Sequence, residues 1–189
     1  ETVAIKALEA SLQKSFSNSE EPLPCDIACL ASYRSLFDCP WARDITPSSA
    51  LEPLFKRQVM EVNEELVLKE DIPRLNSIED DVSLAVQNQY EENPYPRWVS
   101  TRLEIKPRSI NQVAAQVELQ VTNAIDLLPE APQILIAGCG TGQHALETAS
   151  RFKDSHVTAV DLSLSSLAYA KRKTEEFGVT NINYLQADI

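Results

Sequence analysis

The chain has 189 residues, of which 43% are hydrophobic and 24% charged, enough to pack one medium domain or a small domain with part of another. No apolar run approaches the roughly 20 residues of a membrane helix, and the N-terminal ETVAIKALEASLQK lacks a signal-peptide core, so no membrane partner is expected. The formal net charge is -11, with ten acids against two bases between Glu61 and Glu92; no Lys/Arg stripe is available to release phosphate counterions, and no nucleic-acid partner is expected either.

In chain order, Ile5, Leu8, Leu12 and Phe16 recur at helical spacing and predict a first helix, which SNSEEPLP ends. Asp26 is expected to cap a second helix through Ile27, Leu30, Ala31 and Leu36. Cys25, Cys29, Cys39 and Cys139 do not form the paired C-x-x-C units of a zinc site, so no metal is expected, and they read as reduced thiols of a cytoplasmic protein. After the turn-rich DCPWARDITPSSA, the residues Leu51, Leu54, Phe55 and Val59 predict a third helix that runs to about Leu68. Residues 1–80 therefore read as a helical N-terminal region, with no internal repeat.

Residues 81–108 differ. NQYEENPYPRW places Asn93 and Tyr95 before prolines, which hold them out of helix, and predicts an extended segment carrying Tyr90, Tyr95, Arg97 and Trp98. Two readings apply: a linker that its aromatics pin to the surface, or a lid that closes a pocket and excludes water.

Residues 109–189 read as α/β. Ser109 caps a helix whose stripe is Ile110, Val113, Ala114, Val117, Val121, Ala124, Ile125 and Leu128, ended by Pro129 and Pro132. The period then changes. ILIA is expected to be a strand buried on both faces; a glycine loop leads to a helix with Ala145, Leu146, Ala149 and Phe152 inward; HVTAVD is a second strand. Ser163 caps a helix with Leu164, Leu167 and Ala168 buried, Gly178 follows its C-terminus, and INYLQAD is a third strand. Alternation of this kind with short loops predicts a doubly wound α/β fold of three parallel strands with helices.

Three of the chain's four glycines, Gly138, Gly140 and Gly142, fall within five residues between the first strand and its helix. Such a turn offers backbone N–H groups and a helix N-terminus to a ligand. Asp161 closes the second strand nineteen positions after Gly142, where a carboxylate can accept ribose hydroxyl protons, and Asp188 closes the third on the same ligand-binding edge. The spacing is G-x-G-x-G, with Gln143 at the third-glycine position of the dinucleotide fingerprint, which favours a nucleoside cofactor without a pyrophosphate.

ILIAGCGTGQHALE, VTAVDLSLSSLAYAKRK and INYLQADI resemble the first three motifs of class I S-adenosylmethionine-dependent methyltransferases, over about Gln133 to Ile189. With VSLAVQNQYEENPYPRW the chain more narrowly resembles bacterial methyltransferases associated with tetratricopeptide repeats, although it holds no such repeat. The resemblance implies the Rossmann-like methyltransferase fold and S-adenosylmethionine as cofactor. It implies that Gly138, Gly140 and Gly142 line the methionine and ribose, that Asp161 holds the ribose hydroxyls, and that Leu162 lies on the adenine face. Asp188 would accept from the adenine amino group, with Ile189 near the ring. Ile136 stands where many members have an acid, so the cofactor's amino end would be met by Tyr90, Arg97 or His144. The resemblance also implies a fourth strand beyond Ile189, hence an N-terminal fragment, inactive alone, without its catalytic residues or acceptor site. With that strand missing, Ile134, Leu135, Ile136 and Ala137 would form an open edge, covered by a second copy in a homo-oligomer or by the N-terminal helices. The alternative function is a non-catalytic helical assembly module with a vestigial nucleotide-binding half.

Overall fold

The computed structural model describes residues 2–117 and 128–188. The chain divides into two compact units, residues 1–64 and 65–189. The division lies earlier than the 1–80 boundary read from composition, because the stretch from residue 65 to residue 80 packs with the α/β part. Leu68 and Ile72 join the core of the sheet, and the Pro73 carbonyl and Leu75 N–H bond the Gln186 backbone.

The first unit contains α1 (Thr2–Ser17), α2 (Pro24–Ala31) and α3 (Glu52–Phe55). Leu12, Ile27, Leu30, Leu36, Trp41, Phe55 and Val59 form its core, and Phe16 stacks on Trp41 with ring centroids 4.6 Å apart. The second helix starts at Pro24, with Leu23 in the cap position, so Asp26 lies in the first turn and does not cap it. Proline suits that first position because its missing N–H would have had no intrahelical partner. Leu36 belongs to a separate 3-10 turn, Leu36–Asp38. The expected third helix is present in pieces: α3, a π turn over Lys56–Met60, and α4 (Glu61–Glu70).

The second unit adds α5 (Asp81–Glu92), α6 (Ile110–Gln116), β1 (Gln133–Ala137), α7 (Gln143–Arg151), β2 (His156–Asp161), α8 (Leu164–Glu176) and β3 (Ile182–Gln186). The strands are parallel in the order β1-β2-β3, with Ile136 opposite Ala159 and Asp161 opposite Gln186. This is the mixed α/β architecture expected, with three parallel strands and helices. Ile136, Val157, Ala159 and Tyr184 of the sheet pack with Ala145 and Ala149 of α7 and with Leu164, Leu167 and Ala168 of α8. Each large apolar side chain fully buried here contributes about 1.5–3 kcal/mol. Ser163 caps α8 by accepting the Ser166 N–H at 3.0 Å, and Gly178 takes φ +66 just beyond its end.

In this unit two further expectations change, and a third lies partly outside the described residues. Residues 81–92 are helical, not extended: Asp80 caps α5 by accepting the Val82 and Ser83 N–H groups, and the prolines constrain only Asn93 and Tyr95, after the helix has ended. The β1 strand is not buried on both faces, since Ile136 is buried but Leu135 is 66% exposed. Ser109 caps α6 with a reciprocal capping box through Gln112, as its sequence promised, but α6 is described only to Gln116; Val121, Ala124 and Ile125 of the expected stripe lie outside the described residues.

Candidate functional site

The carboxyl ends of β1 and β2 meet at a cavity of about 320 Å3 lined by Val86, Tyr90, Tyr95, Gly138, Gly140, Asp161, Leu162 and Ser166. Its size suits a small organic ligand, and open α/β sheets bind ligands at this edge. Four of the sequence-predicted cofactor residues, Gly138, Gly140, Asp161 and Leu162, therefore come together, and Tyr90 and Tyr95 line the same cavity.

The loop after β1 is fixed by hydrogen bonds that its sequence supplies. Cys139 donates its backbone N–H to the Val160 carbonyl at 2.9 Å, and Gly140 donates its own to Asp161 Oδ2 at 2.7 Å. The other oxygen, Oδ1, accepts the Ser163 N–H at 3.0 Å. A carboxylate has about four lone-pair sites, so Asp161 can hold the loop and still accept from a ligand in the cavity. The Leu162 carbonyl accepts from the Gln186 side chain at 2.8 Å and from Gln87 at 3.3 Å, which sets the backbone beside the cavity.

The glycines divide by role. At Gly138 and Gly140 an added Cβ would meet nothing within 4 Å, so the main chain there is open to whatever fills the cavity. Gly142 does not line the cavity. With φ +81, its Cβ would lie 2.4 Å from Ala170 Cβ, so its missing side chain lets α8 approach the start of α7. That helix-packing task is the one expected of a third glycine, performed one position before Gln143.

The remaining site candidates lie elsewhere. Asp188 accepts from Ser83 Oγ at 3.0 Å through its carboxylate and is held by Asn76 through its backbone; it does not line the cavity. Ile189 lies outside the described residues. Arg97 bonds the Glu65 carboxylate at 2.8 and 3.0 Å and lies over the Tyr169 ring. Trp98 is only 8% exposed, donates to the Thr141 carbonyl at 2.9 Å and packs on Tyr169 and Phe177. These two are anchors of the chain rather than cavity walls. His144 is exposed on the first turn of α7 and is not among the cavity's lining residues.

Sequence reasoning missed Val86, Ser166 and Glu91. Burial pushes the Glu91 carboxyl up, but hydrogen bonds from Lys69 and Ser165, the Lys69 charge and the Leu164 N–H outweigh it and hold the group below the usual glutamate range. Cys139 and Tyr184 are shifted the other way by burial, well above their ordinary values. Cys139 is buried and packs in the core of the sheet. Among the described residues no helix is long and apolar enough to cross a membrane.

Residues 134–189 match a family model described as a methyltransferase domain. A stretch of 72 residues is 39% identical to the release factor glutamine methyltransferase of Escherichia coli (strain K12), covering 38% of this chain and 26% of that protein. A stretch of 59 residues is 37% identical to the tRNA (guanine-N(7)-)-methyltransferase of Rubrobacter xylanophilus, covering 31% of this chain and 26% of that protein. The chain thus spans about a quarter of the length of the curated relatives it matches. Among solved structures, coclaurine N-methyltransferase bound to N-methylheliamine and SAH aligns with a TM-score of 0.38 and 20% identity, over 99% of this chain and 50% of that one. Residues 134–189 are thus similar to a methyltransferase domain, and the stretches matched in the curated relatives come from methyltransferases.

Proposed function

We propose that this chain carries the S-adenosylmethionine site of a cytoplasmic methyltransferase, and that the cavity at the ends of β1 and β2 holds the cofactor. One observation carries the reading: Gly138 and Gly140 expose bare backbone to the same 320 Å3 cavity that Asp161 and Leu162 line. The donor set fits a nucleoside, with a carboxylate for the ribose hydroxyls, an apolar side chain at Leu162 for a flat base, and aromatic rings at Tyr90 and Tyr95. Asp188 and Ile189 complete the adenine end in this proposal, Asp188 through its second carboxylate oxygen while Ser83 stays on the first. Tyr90 takes the place of the family's acid at the amino end, since Arg97 is engaged by Glu65 and His144 lies away from the cavity. The stretch from Val82 to Trp98 supports kinship with the repeat-associated bacterial methyltransferases.

When bound, the cofactor supplies a methyl group already activated on a sulfonium, so the protein's work is alignment and exclusion of water. Asp161 fixes the sugar through the loop it also holds, and Tyr90 and Tyr95 cover the opposite side. Calorimetric titration of the full-length protein with S-adenosylhomocysteine tests the proposal. Saturable binding that Asp161→Ala weakens is the expected result, and no heat from folded protein would remove it.

A further inference from the structure

The cavity is lined by the loops after β1 and β2 but also by α5, which no motif of the α/β part accounts for. Val86 and Tyr90, four residues apart, face the cavity. Ser83, Gln87 and Glu91, also four apart, share another face of the helix, and each bonds the α/β layer. Ser83 Oγ donates to Asp188 Oδ1 at 3.0 Å, and Gln87 Nε2 donates to the Leu162 carbonyl at 3.3 Å. Glu91 makes the densest set. Its Oε1 accepts the Leu164 N–H at 2.5 Å and the Ser165 N–H at 3.4 Å; its Oε2 accepts from Ser165 Oγ at 2.7 Å and pairs with the Lys69 ammonium.

Two facts separate this arrangement from ordinary helix capping. Ser163 already caps α8 by accepting the Ser166 N–H, so α8 keeps its own cap without Glu91. And α5 has no fully buried residue, so polar ties rather than apolar burial hold it in place. A helix held in this way lies at the low end of local stability, where ties at one residue can decide its position.

We infer that Glu91 is a positioning residue of the cofactor site: through the first turn of α8 and Lys69 it holds α5 down, so that Tyr90 and Val86 stand over the cavity. This rests on the reading of that cavity as the cofactor's. Glu91 does not line the cavity and acts through Tyr90, its neighbour in sequence.

The test is a double-mutant cycle read by titration of the full-length protein with S-adenosylhomocysteine. Glu91→Gln is expected to weaken binding about tenfold, and in a Tyr90→Ala background to add almost nothing, because residues that act through one another are not additive. Unchanged affinity in Glu91→Gln, or losses that multiply in the double variant, would overturn the inference. Should Glu91→Gln fail to fold, hydrogen exchange of the unmodified protein decides: amides of residues 83–91 are expected to slow on adding S-adenosylhomocysteine, and equal rates sink it. If the unmodified protein binds no S-adenosylhomocysteine, the cavity's assignment falls and this inference falls with it, an outcome distinct from normal binding that ignores Glu91.

Discussion

Asp161 accepts the Gly140 and Ser163 N–H groups on opposite oxygens, so a single side chain ties the glycine loop to the end of β2. Its removal is expected to weaken S-adenosylhomocysteine binding by about 1–3 kcal/mol, the scale of charge-assisted hydrogen bonds, with the loop loosened as well; calorimetry on Asp161→Ala checks it. Gly140→Val is expected to cost more, since a β-branched residue at φ +53 is strained and projects into the cavity. Gly142→Ala should behave differently, leaving the cavity clear but destabilising the fold by roughly 2–4 kcal/mol, because the new methyl meets Ala170 and not solvent. A denaturant midpoint unchanged by Gly142→Ala would contradict that packing role. Asp161 was legible in the sequence because it ends a predicted strand nineteen positions after Gly142 of the glycine loop. The division of labour among the glycines was not, since Ala170 becomes a neighbour of Gly142 only when α8 docks on the sheet.

Elements with a strong period were read well: α1, α7, α8 and the three strands stand where the apolar pattern put them. The misreading of α5 has a local cause. Its stripe of Val82, Val86 and Tyr90 is sparse, it buries nothing fully, and two prolines just downstream suggested extension for the whole segment. The same polar character makes the helix sensitive to acid. The Glu91 carboxyl is depressed in the folded chain, so its contribution is fully present above the unfolded glutamate value and is lost as pH falls through the folded one. Unfolding measured from neutral to acidic pH should therefore lose a step of stability below the usual glutamate range, and Glu91→Gln should flatten that step. An acid limb identical in both proteins would show that Glu91 contributes nothing to it. By contrast, the Trp98 end of the segment is fixed: Thr141 Oγ1 donates to the Pro96 carbonyl at 2.7 Å, Tyr169 donates to the Trp98 carbonyl, and Lys173 donates to the Val99 carbonyl at 3.1 Å. Any closure over the cavity is therefore proposed for α5 and Tyr95, with Trp98 staying anchored.

At the scale of the whole molecule, the sheet's two edges are treated differently. Beyond β3, the backbone of Pro73 and Leu75 pairs with Gln186 and covers the carboxyl end of that edge, using a stretch that composition had assigned to the helical region. Beside β1, no strand is paired on the side away from β2 among the described residues. Leu135 is 66% exposed there, although Ile136 beside it is buried, so the exposed apolar surface is narrower than a strand of ILIA would suggest. An unpaired edge with its row of N–H and C=O groups templates pairing with another chain. The prediction is that this 189-residue chain self-associates at micromolar concentration through β1. Light scattering after size exclusion should show a dimer or larger species, and Leu135→Lys should shift it toward monomer, because charge on an edge strand opposes edge-to-edge pairing. A monomeric chain whose Leu135 amide exchanges slowly would mean that the edge is already covered from within, and self-association through β1 would have to be abandoned.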